Sequence, residues 1–287
     1  MGVILAFLAL LAWGFGDFLI QRSARAFGDW VALFYITAFA TIVLFPFVIS
    51  DLPRFLADQG TSLVLWLTSL VLLFASLFDF EALRVGKMSV VEPVYAMEVP
   101  ITVMLGIFVL REFLSAAQGF LITCLMIGIF LVATRSFRHL KNIHAEKGVW
   151  LAVTATLGMG VVNFLFGVGA RETNPLVINW FTSAFLAVVT FAYLASQRRL
   201  GEITADWHHN RRLILSVSFF DNLAWVAYAG STTYIPIAIS TGISESYIAL
   251  AATLGLVFNK EKLQRHQWFG LVVSVIAVVI LAFITKN

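Results

Sequence analysis

The chain has 287 residues, 60% of them hydrophobic and 12% charged, with 27 Phe, 8 Trp and a mean hydropathy of +0.92. That composition excludes a water-soluble globular domain and reads as a polytopic membrane protein. A formal charge of +3 and a pI near 9.1 would suggest nucleic acid in a soluble chain. Here the basic residues lie in short loops between apolar runs, where they set orientation, and no nucleic-acid partner is expected.

Ten apolar runs follow in order. The first, Val3 to Ile20, comes directly after Met1 and Gly2 with no basic n-region and no small-residue cleavage site, so it is read as a retained span. The second to fifth are Trp30 to Ile49, Ser62 to Leu83, Met88 to Leu110 and Leu114 to Ala133. The sixth to tenth are Val149 to Gly169, Pro175 to Ala195, Leu213 to Tyr234, Pro236 to Phe258 and Trp268 to Ile284. The longest link is about 17 residues, which leaves no room for a soluble domain, and every segment within lipid is expected to be helical. Cys124, the one cysteine, lies in the fifth run and permits no internal disulfide.

The fourth run carries the sharpest signal. A bilayer core about 30 Å thick needs about 20 apolar residues in a helix, and this run supplies them with Glu98 near its centre. A carboxylate there costs roughly 2.5 to 3.5 kcal/mol on insertion scales, so it must face protein or water. Glu92, Tyr95 and Glu98 are spaced three apart on one drifting helical stripe that Thr102 continues. Pro93 and Pro100 each remove a backbone donor, a defect tolerated where protein or a water-filled cavity surrounds it. The run is therefore expected to line a cavity.

An internal repeat is visible. GFGDFLIQRSAR from Gly14 matches GVVNFLFGVGAR from Gly160 at an offset of 146, pairing Gly14 with Gly160, Asp17 with Asn163 and Arg25 with Arg171. LREFLSAAQ from Leu110 matches NKEKLQRHQ from Asn259 at an offset of 149, pairing Glu112 with Glu261 and Gln118 with Gln267. The expected fold is an all-α integral membrane protein of ten transmembrane helices in two five-helix repeats, residues 1–140 and 147–287. Because five is odd, the copies run in opposite senses, the inverted-repeat construction of many secondary transporters. Asp17 and Asn163 should then occupy equivalent depths, with Gly14, Gly16, Gly158 and Gly160 allowing close helix approach.

With these residues the chain resembles the drug/metabolite transporter superfamily, and specifically its two-repeat EamA-type members. The resemblance is carried by Trp13 and Gly14, by the run EALRVGKMSVVEPVYAMEVPITVMLG ahead of Arg111 and Glu112, by Ala227 to Gly230, by Pro236 to Ser240, and by Glu261 to Gly270 with Trp268. It implies ten helices around a central cavity near the midplane, with alternating access between two pseudo-symmetric halves. Two departures stand out. The Lys or Arg usual in the second span is absent, and the proline usual in the ninth has no counterpart, Glu245 and Ser246 lying nearby instead.

Charge placement speaks to chemistry. Of 16 acidic residues seven lie within the spans (Asp17, Asp79, Glu81, Glu92, Glu98, Asp221 and Glu245), whereas none of the 19 Lys and Arg does. With no internal cation to pair them, such acids must be protonated, hydrated or neutralised by a bound cation. Glu98 and Glu245 are the expected proton or cation carriers, with Asp221, Asn222, Asp17, Asn163 and Glu92 as polar lining and Trp13, Tyr95, Tyr228 and Tyr247 as aromatic walls. Each has a plainer role to set beside this: backbone hydrogen bonding for the glutamates, interhelical bonding for Asp221 and Asn222, packing for the aromatics. Asp79 and Glu81, close to Arg84, are read as reaching toward an interface, and Glu112 and Glu261 as cap contacts at helix ends.

An enzyme is not expected. All five His fall in loops or at a span edge, which removes an intramembrane Ser/His pair and a buried zinc site, so no catalytic residue, metal or cofactor is assigned. GFGD at Gly14 matches a GxGD string but lacks its context, and no GxxxxGK[ST] loop is present. The chain reads as a secondary active transporter, exporter or exchanger, of small organic metabolites or drug-like cations, proton-coupled, in the cell inner membrane. Its expected partners are a small-molecule substrate and the lipid bilayer, with the chain a monomer or weak homodimer. The alternative is a passive channel or lipid flippase or scramblase on the same bundle. Loops after odd-numbered spans hold 15 Lys and Arg and the opposite side four. The positive-inside rule thus places both termini outside the cytoplasm, against the arrangement usual in the resembling family.

Overall fold

The structure, a computed structural model, describes residues 1–86, 88–134, 148–250 and 263–285; for Leu56, Met88, Ser89, Val90 and Glu92 it describes the backbone alone. Among the described residues there are helices and turns and no strands. The first half contains α1 (Gly2–Phe27), α2 (Asp29–Val48), a short α3 (Leu52–Ala57), α4 (Gln59–Val85), α5 (Met88–Tyr95), α6 (Glu98–Phe108) and α7 (Ala116–Ala133). The second contains α8 (Val149–Glu172), α9 (Pro175–Ser196), α10 (Leu200–Thr232), α11 (Ile237–Ser244) and α12 (Arg265–Ile284). Eight of these are long and apolar enough to cross a bilayer, and the fourth and ninth runs supply shorter apolar helices.

Local chemistry accounts for the boundaries. Ser115 and Gln118 form a capping box at the start of α7, and Gln264 and Gln267 form the equivalent box at α12, so the sequence pairing of Gln118 with Gln267 is a repeated N-terminal cap. Asn174 accepts the amides of Leu176 and Val177 ahead of Pro175 at the start of α9. Two features lie outside the sequence reading. The link between the seventh and eighth runs is itself helical, since α10 begins at Leu200 and bends at Asn210, where φ is −120°. The short helix α3 fills part of the link after the second run. Residues 251–258 of the ninth run, Glu261 and the join between the repeats at 135–147 lie outside the described residues.

The fourth and ninth runs are both interrupted. Pro100 has no N–H, and its ring crowds the carbonyl four residues earlier; the chain opens at Ala96 and Met97 and restarts as α6 at Glu98. The ninth run breaks at Glu245 and Ser246 without a proline and resumes at Tyr247. Here hydroxyls bond to the last carbonyls of α11: Ser246 Oγ donates to Gly242 O (2.8 Å) and Ser244 Oγ to Thr241 O (3.3 Å). The turns at residues 96–97 and 245–246 are 149 positions apart, the offset that also relates Glu112 to Glu261, so the two breaks are repeat-related.

Helix packing follows the repeat. The most extensive contacts are α1 with α10, α4 with α8, α2 with α9 and α7 with α12, and α5 packs on α8 as α11 packs on α1. Exchanging each first-half helix for its second-half equivalent maps this set onto itself, which is the signature of a pseudo-twofold axis. Small residues allow the approach: a Cβ on Gly160 would stand 2.7 Å from Ile101 Cβ, and one on Gly14 would stand 3.1 Å from Leu250 Cδ2. Gly158 meets Ala75 in the same way, whereas Gly16 has only the amide of Asp221 at 3.9 Å. The result is a polar centre inside an apolar exterior, with Ile4, Phe18, Phe47, Phe74, Val188 and Phe283 turned outward.

Candidate functional site

A cavity of about 100 Å³ lies at the centre, lined by every span except those of α7 and α12. Its walls are helical stripes: Trp13, Asp17 and Ile20 on α1; Met159, Asn163 and Phe166 on α8; Leu33, Ile36 and Thr37 on α2; Asn179, Thr182 and Ser183 on α9. Spacings of three, four and seven put each set on one helix face. The α1 and α8 stripes are related position by position at an offset of 146, as are those of α2 and α9. The cavity is therefore built twice, once by each half.

The chemistry is not duplicated to the same degree. Asp17 answers to Asn163, Leu33 to Asn179 and Glu98 to Tyr247, yet each half still sets one glutamate, Glu98 or Glu245, at its helix break. Asp79 and Asp221 complete five lining carboxyls, and no Lys, Arg or His lines the cavity among the described residues. Glu98 and Glu245 face the same cavity. Asn163 Nδ2 donates to Glu245 Oε1 at 3.2 Å. Tyr247 lies beside Asp17, Tyr95 beside Asp79 and Trp225 beside Asp221. Among the described residues Glu98 has no such polar side chain at its carboxyl.

Of the expected site residues, Glu98, Glu245, Asp221, Asn222, Asp17, Asn163, Tyr95, Tyr247 and Trp13 converge on this cavity. The Glu92 side chain lies outside what is described. Tyr228 is a correction: it is fully buried behind the wall, its hydroxyl donating to Asn163 O (2.9 Å) and bonded with Thr241 Oγ1 (2.8 Å). Trp225, one turn earlier on α10, takes the wall position and meets Trp13 edge-on at 5.2 Å and Phe166 at 4.5 Å. Asp79 is a second correction, since it lines the cavity rather than reaching for an interface. Glu81, two residues on and so on another helix face, does pair with Arg84, which also meets Asp29 at 3.0 Å. Asn179, Thr182, Ser183 and Thr37 were not foreseen. Their polar spacing along the second and seventh runs is the signal that marks them.

An all-helical bundle built from two repeats, with interrupted helices meeting at a polar central cavity, defines a two-repeat, multi-pass membrane transporter. A model of the EamA-like transporter family matches residues 1–134 and again 146–283, and the chain belongs to that family. A protein of Archaeoglobus fulgidus described as an uncharacterized transporter is 19% identical over 97% of both chains. An uncharacterized protein of Haemophilus influenzae is 23% identical over 64% of this chain, and the match spans only 62% of that relative's length. One crystal structure shares the fold with a TM-score of 0.74 at 13% identity, covering 99% of this chain and 97% of the other.

Proposed function

We propose that the chain is a proton-coupled secondary carrier, an exporter or exchanger of small organic metabolites or drug-like cations, acting in the cell inner membrane as a monomer or weak homodimer. The observation that carries this reading is the pair Glu98 and Glu245, one from each half and both at helix breaks, in a cavity lined by carboxyls and by no cationic side chain among the described residues. An inverted-repeat carrier must present its exchanging group to each side in turn, and a carboxyl supplied by each half suits that requirement. Trp13, Tyr95, Trp225 and Tyr247 add ring faces or edges around the acids, a setting that favours an organic cation over an anion. Positive charge on a ligand and a proton on a glutamate then compete for the same site, which is the basis of exchange.

Size bears on substrate class. A volume near 100 Å³ holds about three waters or one small cationic group, whereas drug-sized ligands need roughly 300 Å³ or more. A small amine or similar metabolite fits this conformation, and a larger one requires the halves to part. The same small volume supports a carrier over an open channel or a lipid-conducting groove. The test is uptake of a panel of labelled organic cations and neutral metabolites into proteoliposomes carrying an imposed pH gradient. The expected result is saturable accumulation of a cation that reverses direction with the gradient. Flux that rises linearly with concentration and ignores the gradient would favour the passive alternatives.

A further inference from the structure

We propose that Glu112 and Arg171 form a latch that closes one end of the cavity by holding the half-helix α11, and with it Glu245, in place. The two side chains meet at 2.8 Å, and the Glu112 carboxylate is almost fully buried. Arg171 also donates from Nε to Thr232 O (2.8 Å) and from Nη2 to Ile235 O (3.1 Å), the last carbonyls of α10 and its exit. The carboxylate of Glu112 accepts the amides of Ile237 (2.8 Å) and Ala238 (3.2 Å), the first two residues of α11. One ion pair therefore ties together the ends of α6, α8 and α10 and the start of α11. Charge-assisted bonds of this kind are about twice as strong as neutral ones.

The backbone is shaped to deliver the carboxylate. Arg111 adopts a left-handed conformation (φ 54°), and the Glu112 amide donates to Gly106 O at 3.1 Å, folding the chain back along α6. A Cβ on Gly106 would lie 2.9 Å from Glu112 Oε2, so a glycine is required where the carboxylate passes. Glu112 belongs to the first half and the hydrogen-bond partners of its carboxylate, Arg171, Ile237 and Ala238, to the second, so the latch spans the two bodies that alternating access must move. Helix α11 has eight residues and is about 12 Å long. Glu112 caps its N-terminus and Glu245 is its C-terminal cap residue, so displacement at the latch is transmitted along a stiff rod to a cavity carboxyl. On the opposite end Arg25, the repeat equivalent of Arg171, donates to Leu83 O (3.4 Å) and Gly86 O (3.2 Å). Those carbonyls lie 149 positions before Thr232 and Ile235, the same geometry turned over.

This inference rests on the carrier reading for its purpose, but its test needs neither substrate nor transport. Cys124→Ala removes the native thiol, and Met159→Cys places a reporter in the cavity wall. In oriented proteoliposomes, a small membrane-impermeant cationic methanethiosulfonate is applied at the face where Glu112 lies. Glu112→Gln and Arg171→Gln are each expected to raise the modification rate about tenfold, and the double variant no further, because the two act as one unit. Should Glu112→Gln not fold, Arg171→Lys, which keeps the charge but loses the planar fork, carries the same test. Equal rates with and without the latch in folded variants overturn the proposal. If rates rise but the unsubstituted protein shows no gradient-driven uptake, the latch stands and the carrier reading falls.

Discussion

Glu98→Gln is expected to abolish accumulation driven by a pH gradient while leaving binding or exchange of a neutral ligand in place. Glutamine keeps the shape and hydrogen-bonding capacity of the neutral acid and removes only its titration. If one proton is exchanged per cation, a gradient of one pH unit, worth about 1.36 kcal/mol, supports roughly tenfold accumulation. In the variant the internal and external concentrations should level out at every gradient. A structural glutamate that keeps its proton throughout would give a different result, because replacing it with glutamine leaves driven uptake nearly intact. The variant and the unsubstituted protein, compared at several imposed gradients, separate the two readings. Equal gradient dependence in both removes Glu98 from coupling.

The second large effect is expected at Glu245, and its form is as informative as its size. Glu245→Gln should cause the same loss of driven accumulation, and the Glu98→Gln, Glu245→Gln double variant should be no worse than either single. If the two carboxyls, which line one small cavity, exchange a proton as a pair, removing either member disables the pair. The hydrogen bond from Asn163 is not the source of this effect, since the glutamine oxygen accepts it equally well. Independent carriers predict another pattern, in which each single variant keeps part of the accumulation and the double loses the rest. Initial rates and plateau levels for the three variants, measured on the same vesicle preparation, distinguish these patterns.

Much of the site was legible because charge in lipid is costly. Glu98, Glu245, Asp17 and Asp221 stand inside apolar runs, and the expense of exposing them to hydrocarbon forces them inward, where the cavity is. The repeat was legible for a related reason: both halves solve the same packing and capping problems, so Gly14 and Gly160, or Gln118 and Gln267, recur at fixed offsets.

What escaped notice carried weaker or ambiguous energy. Asn179, Thr182 and Ser183 are neutral and satisfy themselves locally in part, Asn179 Nδ2 on Pro175 O and Thr182 Oγ1 on Ile178 O, so burying them leaves little mark on composition. Asp79 was drawn toward the wrong face by its nearness to Arg84, although Glu81 stands at the (i, i+3) spacing that pairs with that arginine. Tyr228 and Trp225 lie one turn apart on α10, and which of them reaches the cavity depends on depth rather than on face. The break at Glu245 has no proline to announce it; serine hydroxyls bonded to the preceding carbonyls do the equivalent work.

Proton release on binding tests the central claim most directly, because it observes the exchange itself without vesicles or gradients. The purified protein, in detergent and weak buffer near neutral pH, is mixed with a saturating cation identified in the uptake screen, and the free proton concentration is followed with an indicator dye. A cavity in which a cation and a proton compete predicts acidification that grows with site occupancy, and no acidification from the Glu98→Gln, Glu245→Gln double variant. Binding of the cation at full occupancy with no proton released from the unsubstituted protein would contradict the account.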